Sequence, residues 1–246
     1  MNSPFLQAII EGQPFQLFSL SHICVLLLLL LAIALLYIFR NDLRLGRSNL
    51  VCRYGLVVLL LMTEIAYQLW HLGVGTWTVT EVLPLQLCSV SLLLSCVMLV
   101  SRSYRLFEVT YFWGIGGAGQ AMLTPELFYP FPHFRFFHFF LAHGAIILAC
   151  LHMVWVEGYR PTFRSIGKAL LWLNALLLVA LLVNQGTGGN YLFAAHKPEN
   201  PSLIDYLGPY PWYLLSLEGV AFLLFYVLFL PFRGKQKAMA PSSELT

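Results

Sequence analysis

Apolar runs of helix length recur along the chain at about 18–39, 51–70, 82–100, 107–123, 134–156, 166–183 and 213–231, separated by short polar connectors. Each run is near the roughly 20 residues that cross a hydrocarbon core of about 30 Å. The runs are apolar on all sides and do not alternate at period two. That predicts helices and argues against a β-barrel, whose lumen-facing positions would be polar at every second residue. The pattern therefore predicts an all-α integral membrane protein, a seven-transmembrane-helix bundle forming a single domain over 1–233, with a mobile cytoplasmic tail over 234–246. The fourth run carries Glu108 near its start and Gly114, Gly116, Gly117 and Gly119 further on. Such glycines weaken an isolated helix and mark close packing between membrane helices.

Composition sharpens the class. Of 246 residues, 59% are hydrophobic and only 10% charged, too little polar surface to cover a globule in water and too much apolar content for disorder. The net charge of +3 does not imply nucleic acid, because the basic residues follow topology. Arg40, Arg44, Arg47 and Arg53 follow run one, Arg102 and Arg105 run three, Arg160, Arg164 and Lys168 run five, and Arg233, Lys235 and Lys237 run seven. Twelve of the 14 basic residues thus fall on one side, and only Arg135 and Lys197 on the other. Basic loops are retained in the cytoplasm, so the N-terminus is expected outside and the C-terminus inside, in a bacterial cytoplasmic membrane. The first run lacks a basic leader and an A-x-A cleavage site and reads as a retained helix. Cys24, Cys52, Cys88, Cys96 and Cys150 all lie in or beside runs, and neither C-x-x-C nor H-x-x-x-H spacing occurs. A disulfide framework, a metal site and a bound cofactor are accordingly not expected.

Polar groups inside a bilayer are costly and turn toward the bundle interior, which makes each a functional candidate. At 1.5 Å per residue, Glu64, Cys88 and Glu218 lie roughly 8–9 Å, and His143 roughly 13 Å, from the outer ends of their runs. Gln68, His71, Gln86, Gln120 and His138 are shallower. The inner half is almost purely apolar apart from Ser95, Glu108, His152 and Asn174. A site, where one exists, is therefore expected to open outward. Glu64, Gln68 and His71 share one face of run two, and Cys88, Ser91 and Ser95 one face of run three, with Pro84 placed in the first turn of that helix. His138 and His143 point about 140° apart around their helix, so one small site takes only one of them.

Plainer readings stand beside this one. Membrane serines and cysteines commonly serve as packing residues, His138 in FRFFHFFLAHG fits an interfacial aromatic belt, and Glu64 and Glu218 fit hydrogen-bonded glue between runs two and seven. The connector NQGTGGNYLFAAHKPENPSLIDYLGPYPWY is long, and its tyrosines and tryptophan suit the headgroup layer, so it reads either as a cap over the cavity or as an ordered linker.

The segments LPLQLCSVSLLL, YFWGIGGAGQAMLTPEL, FFHFFLAHG, GTGGNYLF and KPENPSLIDYLGPYPWYLLSLE resemble the YwaF-like family of multi-spanning membrane proteins, in the same order and over nearly the whole chain. That family is similar, more distantly, to eukaryotic transmembrane acyltransferases that build polyunsaturated ether phospholipids with a membrane cysteine and histidine. The resemblance places the cysteine on Cys88 and the histidine on His143. His138 falls at a position expected to vary, and Gln86 stands where a histidine is common. It implies an acyltransferase or transacylase acting on phospholipid and lysophospholipid in the outer half of the membrane through an acyl-cysteine. Cys88 would be the nucleophile, His143 the base, and Gln68, Gln86 or Gln120 an amide donor to the oxyanion, with Glu64 or Glu218 orienting His143. The competing class is a small-solute or proton-coupled transporter, or a sensor, using the same polar cavity. Transport would require polarity through to the inner face.

Overall fold

A computed structural model describes residues 5–8, 14–198 and 203–234. The tail expected to be mobile lies, from residue 235 onward, outside the described residues. Among those described there are seven α-helices and no strand: α1 (Leu20–Ile38), α2 (Gly46–Val74), α3 (Leu87–Ser101), α4 (Tyr104–Leu123), α5 (Phe134–Trp155), α6 (Phe163–Thr187) and α7 (Trp212–Phe229). Five of them, α1, α2, α5, α6 and the stretch Trp212–Phe232 that contains α7, are long and apolar enough to cross a membrane.

Sequence explains why α4 and α5 form the centre. α4 packs against α3, α5, α6 and α7, while α5 packs against α1, α2, α3 and α4. Two-thirds of the most apolar stretch of α5 is buried inside the protein, against 11% for α1, whose leucines face outward. The glycines of α4 permit this approach: a Cβ on Gly114 would stand 2.7 Å from Cys150 Sγ and 2.9 Å from Ile146 Cγ2, both on α5. Glu108, buried near the start of α4, accepts hydrogen bonds from Ser165 and Lys168 on α6, so its charge is matched inside the bundle. The low apolarity of α4 is thus met by protein neighbours instead of lipid.

The arginine-rich end is stitched by side chains to helix termini. Arg44 donates to the carbonyls of Trp155 and Val156 at the end of α5, and Tyr159 donates to the carbonyl of Arg102.

Two boundaries differ from the hydropathy pattern. α2 runs 29 residues, so Glu64 sits about 15 Å from its end, deeper than the apolar run alone implies. α3 is shorter, 15 residues, and begins at Leu87. Pro84 does not occupy its first turn as expected but lies in the preceding turn, where the Leu85 amide bonds the Leu83 carbonyl and the Leu83 amide bonds the Tyr191 hydroxyl. These bonds commit the backbone to a turn before helix can begin, which brings Cys88 to the second residue of α3.

Candidate functional site

The arginine-poor end, opposite Arg44 and Arg102, gathers most of the candidate residues on α2, α3 and α5. On α2, Gln68 donates from Nε2 to Glu64 Oε1 at 2.9 Å and to the Val82 carbonyl at 3.1 Å, and its Oε1 accepts from Trp77 Nε1 at 2.9 Å. Gln68 therefore ties Glu64 to the connector that leads into α3. Gln86 is the N-cap residue of α3, yet its side chain makes no cap hydrogen bond; its Oε1 accepts instead from the Leu192 amide at 3.1 Å. The first-turn amides of α3 around Cys88 thus lack a side-chain cap, and such amides stabilise negative charge placed beside them. Cys88 is half-buried, and its Sγ makes no hydrogen bond among the described residues.

His143 is buried on α5, which packs against α3. Its Nδ1 lies 2.6 Å from the Phe139 carbonyl, an acceptor only, so Nδ1 carries the proton and donates. A neutral imidazole with a proton on Nδ1 presents its lone pair on Nε2. The Phe139 ring, with centroids 4.2 Å apart, covers the imidazole and fixes its plane.

His138 is engaged differently. Arg135 donates from Nη1 to His138 Nδ1 at 2.8 Å, and the His138 ring stacks on Tyr67 with centroids 5.0 Å apart. The guanidinium of Arg135 lies 4.4 Å from the Tyr67 ring centroid and 5.8 Å from that of Trp70, with no carboxylate ion pair among the described residues. Stacking on aromatic faces is a favourable setting for a guanidinium, and one without a carboxylate keeps its charge for an incoming anion. His71 completes the cluster, with Nδ1 2.8 Å from Thr76 Oγ1 and its buried Nε2 without a hydrogen-bond partner among the described residues. Nearby, His133 accepts the Arg135 amide at Nδ1 and donates from Nε2 to the Gln7 carbonyl; burial holds its pKa below the ordinary value, so it stays neutral.

Gln120 and Glu218 stand apart from this network. Gln120 is exposed on α4 and donates to Thr124 Oγ1 within 2.6 Å. Glu218 is half-buried on α7, a helix that packs against α4 and α6, and makes no hydrogen bond or ion pair among the described residues.

The connector after α6 is held against the start of α3. Asn184 donates from Nδ2 to the Tyr191 carbonyl at 3.0 Å and accepts the Tyr191 amide at 2.8 Å. The Tyr191 hydroxyl donates to the Val79 carbonyl at 2.8 Å and accepts the Leu83 amide at 3.0 Å, and Tyr213 donates to the Phe193 carbonyl. Leu192 and Phe193 take φ of 58° and 51°, left-handed values that cost a non-glycine residue energy and persist only where surrounding bonds over-determine them. Gly189 allows the close approach, since a Cβ there would lie 2.6 Å from the Thr80 carbonyl oxygen.

Sequence reasoning passed over Arg135, Tyr67 and Asn184 as site residues. The available signal was that Arg135 is one of two basic residues on the minority side. It also passed over His22, fully buried in α1, which accepts the Phe18 amide at Nδ1 and donates from Nε2 to the Met122 carbonyl at 2.9 Å.

A family model for the TMEM164 family matches residues 17–229. The chain belongs to the TMEM164 family. A relative from Treponema pallidum (strain Nichols), described as an uncharacterized protein, is 28% identical over 228 residues, covering 89% of this chain and 88% of its own length. No solved structure matches. Family membership agrees with a helical membrane protein of this size.

Proposed function

We propose that this TMEM164-family protein, read more narrowly as YwaF-like, is a membrane-embedded phospholipid acyltransferase or transacylase that works through an acyl-Cys88 intermediate. The observation that carries the reading is the tautomer of His143: with Nδ1–H committed to the Phe139 carbonyl, Nε2 is left as a base on a helix packed against α3, which bears Cys88 in its first turn. A phospholipid enters from the outer leaflet and places an ester carbonyl at Cys88. The thiol proton passes to His143 Nε2 as sulfur adds to the carbonyl. The first-turn amides of α3 take the oxyanion charge. The carbon–oxygen bond then breaks, the departing lysophospholipid takes the proton from His143, and an acyl thioester remains. A second lysophospholipid, or water, reverses these steps, with its hydroxyl proton going to His143 and then to the leaving Cys88 thiolate.

Arg135 is assigned to the lipid phosphate, because its guanidinium is oriented by Tyr67 and His138 and has no carboxylate partner among the described residues. Glu64 and Gln68 brace the approach to α3, and Gln86 couples it to the connector after α6. In this reading all seven helices cross a bacterial cytoplasmic membrane as one domain, with the N-terminus outside. A tag near Pro198 is then reachable from outside intact cells, and a reporter fused after Lys237 is cytoplasmic; finding both on one side removes the arrangement.

The deciding experiment incubates purified protein with a radiolabelled phospholipid and an unlabelled lysophospholipid. Wild type should carry a hydroxylamine-sensitive acyl group on Cys88, and Cys88→Ser should lose both adduct and transfer while remaining folded. Transfer unaffected by Cys88→Ser would end the catalytic reading in favour of a binding or transport role.

A further inference from the structure

A second thiol lies at the arginine-rich end, where hydropathy alone showed little but apolar helix. Cys52 Sγ on α2 is 3.6 Å from His152 Nδ1 on α5. His152 is fully buried, and its Nε2 has no hydrogen-bond partner among the described residues but stands 3.9 Å from Glu157 Oε1. The Glu157 carboxylate can only accept, so it favours the imidazole proton on Nε2 and leaves Nδ1 as the acceptor facing the thiol. Glu157 is itself fixed: Asn49 Nδ2 donates to Oε1 at 2.8 Å, Arg102 Nε lies 3.6 Å from the same oxygen, and Asn49 Oδ1 accepts from Arg102 Nη2 at 3.0 Å. Arg53, buried with an unpartnered Nε, and Tyr159, just past Glu157, complete the titratable groups around the pair.

The other side of Cys52 meets open space. Leu43, Arg47, Ser48, Val51 and Cys52 line a depression of about 390 Å³. Arg47 there is exposed and makes no hydrogen bond or ion pair among the described residues. The surroundings offer a nucleophile with its base, a carboxylate behind the base, apolar walls of Leu43 and Val51, and an uncommitted cation. A purely structural cysteine requires none of the last three.

We propose that Cys52, His152 and Glu157 form a second acyl-transfer centre, which takes an acyl group from an acyl thioester whose thiol carrier bears phosphate. Cys52 sulfur adds to the thioester carbonyl while its proton moves to His152 Nδ1. The carrier's carbon–sulfur bond breaks, and the carrier leaves as a thiol by recovering that proton. One thioester replaces another, so no oxidant, reductant or further reactant is needed. Glu157 steadies the imidazolium, Leu43 and Val51 receive the start of the chain, and Arg47 meets the carrier phosphate. This inference does not rest on the role given to Cys88.

The test uses full-length protein in a Cys88→Ser background, so that failure of the outer-site reading cannot affect it. The probes are palmitoyl-CoA and the palmitoyl thioester of N-acetylcysteamine, which lacks phosphate. Peptide mapping should find a hydroxylamine-sensitive palmitoyl group on Cys52, formed about 100-fold more slowly in His152→Gln, the lower bound expected for loss of a general base. Glu157→Gln should slow it less, and Arg47→Gln should slow the reaction of palmitoyl-CoA but not that of the truncated thioester. If His152→Gln does not fold, the pH profile of the Cys52 protein decides. A rate that levels off near neutral pH supports the paired thiol, whereas one rising tenfold per pH unit through pH 8 marks an unassisted thiol and overturns the proposal. Absence of an adduct on Cys52, or equal rates in wild type and a folded His152→Gln, also overturns it. Insensitivity of the palmitoyl-CoA rate to Arg47→Gln overturns the phosphate-bearing carrier.

Discussion

The two ends of the bundle use the same residue types in opposite ways. At the arginine-poor end Cys88 and His143 sit on packed helices, but the thiol makes no hydrogen bond among the described residues and the imidazole proton is spent on the Phe139 carbonyl of its own helix. At the arginine-rich end Cys52 and His152 are already in contact, and a carboxylate stands behind the imidazole. The cation settings differ as well. Arg135 rests on aromatic rings and forms no ion pair with a carboxylate among the described residues, whereas Arg102 is shared between Asn49 and Glu157. A thiol without a hydrogen-bond partner among the described residues and one already paired call for different experiments, and the contrast shows that depth from the helix ends locates polar groups without saying which of them meet.

The largest effect expected is on phospholipid transfer. Cys88→Ser should lower it at least about 100-fold through loss of the nucleophile, while Cys52→Ser leaves it within about twofold, both measured as lysophospholipid release. Equal losses would erase the distinction between the ends.

Next, Arg135→Gln should raise KM for phospholipid by about 10- to 100-fold, as expected for a charged hydrogen bond worth about 1.5–3 kcal/mol, with a smaller change in kcat. A change in kcat alone would move Arg135 from lipid recognition to the positioning of His138.

Asn184→Ala tests the connector that grips the start of α3. It leaves the Tyr191 amide unpaired, at a cost of about 1–3 kcal/mol for a buried group, while the Tyr191 carbonyl keeps its bond from the Ala194 amide. Hydrogen exchange over residues 188–196 should quicken, with exchange at the arginine-rich end unchanged.

The smallest effect concerns pH. Glu157 is held down to about 2 by the His152 imidazole, with further help from Asn49 and Arg102 against the upward push of burial. An unfolded glutamate titrates near 4.3, so the folded state binds this proton less readily than the unfolded one. Its stabilising contribution is therefore complete above about pH 4.3 and is lost as pH falls toward 2. Thermal unfolding in detergent should show this acid limb in wild type and a weaker one in Glu157→Gln.

Much of the fold was legible because hydrocarbon imposes simple rules. All seven apolar runs are helices, and Gly114 of α4 marks its contact with α5, since only a missing Cβ admits Cys150 and Ile146 so close. The start of α3 was not legible: the turn at Pro84 depends on the Tyr191 hydroxyl, more than 100 residues away in sequence. The candidate site was legible as a set of polar residues but not as a network. Gln86 and Gln68 read alike as amide donors, yet one side chain is bonded to the connector after α6 and the other to Glu64 and the Val82 carbonyl.

Composition and periodicity by themselves determined the class, the helices and the segregation of basic residues, because each follows from the cost of placing backbone, charge or apolar surface in the wrong solvent. Which polar groups meet was decided only by tertiary structure. His152 and Cys52 are 100 residues apart and lie in runs whose hydropathy shows nothing of the other; they meet because α2 packs on α5 at a fixed rotation. Helix formation depends on neighbours within a few residues, whereas a contact between side chains depends on the angle and register of two helices, and the chain sets those only once the whole bundle has packed.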